Sequence, residues 1–385
     1  MRKKAQCAGA WLGAAFLTAW LVFLATVLSR WPPVWPALAA RAEALEAAQE
    51  LLKLRAGLLV CGDPAELVPF YATETVGGAW ALEKEQARIA YVRRWGQVRN
   101  IAFTSARVEF TRAAVETGEK KAGISLCTHT LLTYRHLDRP EAGEATLGWR
   151  TVHWLELAQG GPGWQVEAEW YLDPLEDASR NPSVAAGAAA LKGAGAPEAK
   201  DNARTDPGTG AYRRAAAVRY ADRFAGVKVG PGTGRYNQAY RDFTGLGGDC
   251  ANFVSQVLTD KDAGNLKPDW GWFYADGEGS EAWLKAEALV YHLVGSGRAA
   301  CLAKGTLAEV AAAGPDGAES ALRRLRPGDI IAYEEDGEIA HVSLVVGRDG
   351  AGYVLVDSHS ADRYHVPWDF GYNADTSYWF LAVQG

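Results

Sequence analysis

The stretch GLGGDCANFVSQ, residues 245–256, sets a cysteine directly behind two glycines and an aspartate, at the head of an apolar run. That order suits nucleophilic chemistry. Gly247 and Gly248 let the backbone turn tightly into a helix. Asp249 has the side chain of an N-cap, which makes Cys250 the first helical residue. Phe253, Val254, Val257 and Leu258 then share a face with Cys250, so the thiol points at whatever the helix packs on. The positive end of the helix dipole favours thiolate there, and the Asp249 carboxylate opposes it. An imidazole across the helix–sheet boundary would complete a thiolate–imidazolium pair.

Three of the seven histidines, His341, His359 and His365, fall in the strand-rich C-terminal region. His341 interrupts the apolar strand from Ile339 to Val346, where residues 339, 341, 343 and 345 face one way. After the turn GRDGAG, residues Tyr353, Leu355, Asp357 and His359 share a face. A hairpin register with an even sum sets His341 opposite Asp357 or His359, either of which would hold the imidazole tautomer.

The elements that must position these groups follow from the pattern. YRRAAAVRYADRFAG reads as a helix, Gly230–Gly232 as part of a loop, and SEAWLKAEALVYHLV as a further helix. GDIIAYEE, EIAHVSLVVG, YVLVDSHS and SYWFLAVQ read as antiparallel strands. Residues 211–385 therefore form an α+β domain. Ahead of it, AARAEALEAAQELLKLRAGLLV and a second helical section to about Arg99 precede four alternating strands, giving a smaller α+β accessory domain at 41–174. Its order of helices and meander is similar to the nuclear-transport-factor-like fold. Asp63, Glu66, Glu74 and His129 read as ordinary surface groups. Residues 175–210 are rich in Ala, Gly, Pro and charge without an aromatic, which predicts a flexible linker with a reach of about 30–35 Å.

Arg2, Lys3 and Lys4 precede an uncharged stretch, 5–29, whose apolar part is long enough to span a bilayer. An uncleaved anchor in the cell membrane is the preferred reading, with the rest of the chain extracytoplasmic; secretion after signal cleavage is the alternative. A net charge of −6 gives no field for nucleic acid, so none is expected as a partner. The five cysteines show no CxxC spacing and predict no zinc cage. Cys61 and Cys127 are open either to pairing or to remaining reduced.

Taken together, YRRAAAVRYADRFAG, YNQAY, GGDCANFVSQ, the Trp/Tyr-rich PDWGWFY, LRPGDIIAY, AHVSLVVG and LVDSHSADR resemble the bacterial putative amidase domain family, which groups with the CHAP and NlpC cell-wall cysteine peptidases. The resemblance covers about 211–385 and implies a papain-like fold. It implies Cys250 as nucleophile and His341 as general base and acid. The family's His-Ser/Thr-x-Asp ending matches His359, Ser360 and Asp362 and favours His359 as third residue, with Asp357 as the alternative. Tyr236 and Asn237 fall at the cleft rim, and Trp272 joins them as a substrate-binding candidate or, like Trp270, Phe273 and Tyr274, as packing. The implied activity is thiol-dependent hydrolysis of an amide, in peptidoglycan or a peptide, without metal or organic cofactor. A catalytically silent wall-binding module and an exported protein peptidase are the competing readings.

Overall fold

In the computed structural model, residues 34–161, 163–175, 212–246, 248–312 and 319–385 are described. Helix α1 (Val34–Val60) buries Ala44, Ala48, Leu51 and Leu52, a stripe at helical spacing. A short 3-10 turn follows, opened by a capping box in which Asp63 and Glu66 satisfy each other's backbone N–H groups. Helix α2 (Val76–Arg99) ends at Asn100 in the left-handed region, which reverses the chain into the sheet.

Strands β1 (Ile101–Thr117), β2 (Lys121–His136), β3 (Glu144–Gly160) and β4 (Gly163–Tyr171) form the expected antiparallel meander. Helices α3 (Arg214–Phe224), α4 (Cys250–Thr259) and α5 (Ala286–Gly295) come next, with a two-residue hairpin, β5 (Tyr274–Ala275) and β6 (Glu278–Gly279), before α5. The chain then adds β7 (Ala299–Thr306), β8 (Ile330–Glu335), β9 (Glu338–Arg348), β10 (Val354–Ser358), β11 (Arg363–Pro367) and β12 (Ser377–Val383).

These strands do not make two separate domains. A single ten-stranded sheet runs β1-β2-β3-β11-β10-β9-β8-β12-β7, with β4 also on β3. The join is β11 on β3, through Arg363 opposite Trp149 and Tyr364 opposite Gly148. An open edge of β3 would present unpaired N–H and C=O groups, and β11 covers it. Val366 and Phe370 from the C-terminal half enter the apolar core of the N-terminal half. Buried polar bonds reinforce the seam. Asp369 accepts from Arg99, Trp95 and Tyr353, and Asp349 accepts from Tyr134 and bonds His136.

This architecture corrects the expectation of an accessory α+β domain separate from a papain-like one. The protein is mostly one large antiparallel sheet with helices packed on it. Among the described residues no helix is long and apolar enough to cross a membrane. The expected span at 5–29, the expected linker at 175–210 apart from Leu175, and Gly247 lie outside the described residues. One local expectation also changes, and one open alternative is decided. His129 is buried, not a surface group, and its Nδ1 accepts the Lys228 backbone N–H. Cys61 and Cys127 are both free thiols, one exposed and one buried.

Helices α3, α4 and α5 lie on one face of the C-terminal half, over Ile330, Ala332, Val342 and Leu344. Ile331, Tyr333, Val345 and Val356 form a second core on the opposite face. Helix α4 is buried from Cys250 to Leu258, polar residues included, because partners are supplied. Trp272 and Trp283 donate their indole N–H groups to Ser255 and Asn252, and Tyr220 donates to Gln256.

Several histidines are buried in the neutral form. Burial, aided by Arg150 and Lys228, holds His129 down to about 4, and burial also lowers His153. A histidine whose folded pKa lies below its unfolded value, near 6.5, stabilises the fold above that pH. That stability is lost as pH falls toward the folded value. Urea unfolding at pH 7, 6, 5 and 4 should therefore show stability declining below about pH 6.5, with His129 contributing at most ~3 kcal/mol. A flat profile across that range would contradict this burial.

Candidate active site

Cys250 opens α4 at the sheet, as its spacing predicts, and is 7% exposed. Its surroundings differ from the expected ones in three respects. The first is Asp249. It precedes the helix but makes no side-chain cap bond. Its carboxylate accepts instead from the backbone N–H of Phe243 (2.8 Å) and from Asn252 Nδ2 (2.7 Å), and it meets His359 Nδ1 at 2.6 Å.

The second is His359. Its ring lies flat between Tyr236 and Phe253, at 3.8 and 4.1 Å between centroids. Nε2 is 2.7 Å from the carbonyl of Phe224, which can only accept, so that nitrogen carries a proton. With Asp249 accepting at Nδ1, the ring and the carboxylate form a buried pair, each about 1% exposed. Both ring nitrogens are thus committed near the start of α4, and neither reaches His341.

The third is register. His341 stands opposite Tyr333, whose ring it approaches at 5.7 Å between centroids, and it also senses Arg363. Tyr333 belongs to the core on the face away from α4. Asp357 stands opposite Leu344, on the helix face, and accepts the His365 backbone N–H at 2.7 Å. The even-sum pairing of β9 with β10 fails because Val346 is skipped in β9, and a second skip falls in the pairing of β9 with β8. Tyr333 pairs with His341 while Glu334 pairs with Ile339, leaving out Ala340; Leu355 pairs with Gly347 while Val356 pairs with Val345, leaving out Val346. Each bulge moves the following side chains to the other face. The structure therefore brings neither Asp357 nor His359 against the His341 ring.

What does meet Cys250 is backbone. Val345 donates its N–H to Asp329 and accepts from Gly328, on the β8 side. Amides alternate along a strand, so Val342 directs its N–H to the β10 side. Pairing of β10 with β9 ends at Asp357 and Leu344, which leaves that N–H without a strand partner. It turns to the sulfur of Cys250. Burial pushes the thiol up to about 11; the N–H groups of Val342, Ala251 and Cys250 oppose the rise and the Asp249 charge adds to it. The resting sulfur is therefore a neutral thiol, contrary to the ionised state expected from the helix dipole. Desolvation exceeds the dipole here.

His341 is neutral as well. Burial, with Arg363, lowers it to about 3, and its Nε2 is enclosed without a hydrogen-bond partner. A buried ring nitrogen with nothing to bond is costly and is poised to take a partner. The sulfur and this ring flank Val342 at the place where β10 leaves β9, one from each face of the sheet.

The remaining candidates have defined places. Tyr236 donates to Asp362 (2.5 Å), accepts from Arg150 (2.9 Å) and stacks on His359, so it supports the helix start from outside. Gly226, at φ +81°, lets the chain pass there, because a Cβ would lie 2.2 Å from Asp362 and 2.7 Å from Tyr236. Asn237 bonds the Tyr220 hydroxyl and the Ala239 N–H. Trp272 is fully buried with its N–H on Ser255, so it packs the core and does not offer a substrate platform. Sequence reasoning missed Val342, whose contribution is an N–H with no side-chain signature. It also missed the Asp249–His359 pair, for which a short Asp-Cys and a downstream His-Ser were the available signals.

Residues 211–382 match the family described as "Putative amidase domain". A Bacillus subtilis (strain 168) protein named "Uncharacterized protein YhbB" is 29% identical over 164 residues, which cover 41% of this chain and 45% of that protein. The chain thus spans under half the length of that relative. No solved structure matches the chain. The amidase match supports a hydrolase, and Cys250, His341 and His359 all fall within the matched residues.

Proposed function

We propose that the chain is a thiol-dependent amide hydrolase with Cys250 as nucleophile and His341 as the proton carrier. The observation that carries this reading is the placement of the Cys250 sulfur beside free backbone N–H groups, next to the strand that carries an unpartnered His341 Nε2. In the reaction, His341 takes the thiol proton as the sulfur bonds the amide carbon. The C–N bond then breaks, and the imidazolium gives its proton to the departing amine. Water attacks the thioester with the same imidazole as base, releasing the acid and the thiol. The N–H of Cys250, at a helix start without an intrahelical acceptor, is suited to the oxyanion.

This reading requires β9 to shift at its Ala340 bulge when substrate binds, so that the His341 ring crosses to the face of the sulfur, because at rest the ring lies with Tyr333. His359 and Asp249 then act as positioning residues that fix the start of α4. The substrate class we favour is the amides of peptidoglycan, either the muramoyl–alanine bond or a bond within the stem peptide. Incubating the purified chain with peptidoglycan and separately with casein, and identifying the released ends by mass spectrometry, tests the choice. New ends from peptidoglycan alone are expected; ends from casein alone would mark a protein peptidase, and none from either would favour a silent binding module.

The neutral resting thiol has a further consequence. Alkylation of Cys250 by iodoacetamide should be slow at pH 7 and rise toward pH 11, since only thiolate reacts. Fast, pH-independent labelling between pH 6 and 8 would contradict the buried thiol.

A further inference from the structure

Asp222 near the end of α3, Asp357 in β10 and His365 in β11 lie outside the chemistry assigned to Cys250. Their ligand atoms all fall within 4.8 Å of one another. His365 Nε2 is 2.8 Å from Asp222 Oδ1, and the His365 ring is held flat on Tyr364 at 4.0 Å. An ion pair between His365 and Asp222 would account for these two residues. It leaves Asp357 unexplained. That side chain is fully buried, one oxygen accepts the His365 N–H, and Oδ2 has no hydrogen-bond partner. Protonating the carboxyl does not resolve this, because an Oδ2–H would be a donor with no acceptor.

From these positions we infer that Asp222, Asp357 and His365 form a binding site for one divalent transition ion, joining α3 to the sheet at β10 and β11. One imidazole nitrogen and two carboxylate oxygens suit Zn2+ or Mn2+; an oxygen cage for Ca2+ would need about six or more oxygens. Binding displaces any proton between His365 and Asp222 and gives the orphaned Asp357 oxygen a partner. Asp222 and His365 are each about one-third exposed on their side chains, so the ion enters from solvent and keeps water in its open positions. The site is structural: it pins α3, whose Phe224 carbonyl holds His359.

The test uses the purified full chain, dialysed against chelator and then titrated with MnCl2, ZnCl2, CaCl2 or MgCl2 by calorimetry and thermal melting. About one Mn2+ or Zn2+ per chain is expected, with a rise in melting temperature and weaker binding of Ca2+ and Mg2+. Asp222→Asn and His365→Gln, both at partly exposed positions, should each weaken Mn2+ binding by about tenfold or more. Cys250→Ser should leave Mn2+ binding unchanged. No binding above background, or equal binding by Asp222→Asn and His365→Gln, would overturn the site and assign the Asp357 cavity to water alone.

Discussion

Cys250→Ser is expected to abolish amide hydrolysis while the chain folds as before. Loss of the sulfur removes the atom that bonds the acyl carbon, and a buried serine beside a neutral imidazole is a far weaker nucleophile. The expected fall in rate is on the order of 10^3-fold or more, as for other enzymes that lose their nucleophile. The fold should survive because the exchange is nearly isosteric. The new hydroxyl also meets the same N–H groups, from Val342, Ala251 and residue 250 itself, that now face the thiol. Circular dichroism and thermal melting close to wild type, with no product release, is the predicted combination. Full activity in the variant, or global unfolding, would contradict the assignment.

Asp369→Ala is expected to destabilise the whole chain by about 3–5 kcal/mol. Asp369 is almost fully buried and accepts from Arg99 Nε at 2.7 Å, from Arg99 Nη2, from Tyr353 at 2.7 Å and from the Trp95 indole at 3.3 Å. Its removal leaves the Arg99 guanidinium, 2% exposed, without its counter-charge in the seam between the halves. Because β11 continues the sheet of β3, the two halves should unfold together in one denaturant transition shifted to lower urea. Two separate transitions, with the C-terminal half unaffected, would show that the halves are independent.

Much of the local structure was legible in the sequence. The Asp-Cys pair followed by apolar residues at helical spacing marked the start of α4, and short apolar runs bounded by turn residues marked β8 and β9. Register was not legible, because a bulge leaves alternation on either side intact and shows only in the partner strand. Val346 is an ordinary strand residue by type, yet skipping it puts His341 and Asp357 on opposite faces. The union of the halves was hidden for a related reason. RYHVP is too short to announce a strand, and its partners Gly148 and Trp149 lie far back in the chain. Asp349, Asp362 and Asp369 carry no local pattern that marks them as interior. They are interior because Arg99, Arg150, Tyr134 and His136 reach them from the other half, which no local pattern encodes. The neutral state of Cys250 was not legible, because dipole and spacing are visible in sequence whereas the depth of burial is not.

The account depends on the sulfur of Cys250 forming the acyl bond. Acid quench of the full chain during turnover of peptidoglycan fragments, followed by peptide mass mapping, tests this directly. A thioester adduct on the peptide containing Cys250, absent in Cys250→Ser and strongly reduced in His341→Ala, is the predicted result. Continued turnover with no adduct at residue 250, or with the adduct on another side chain, would contradict it.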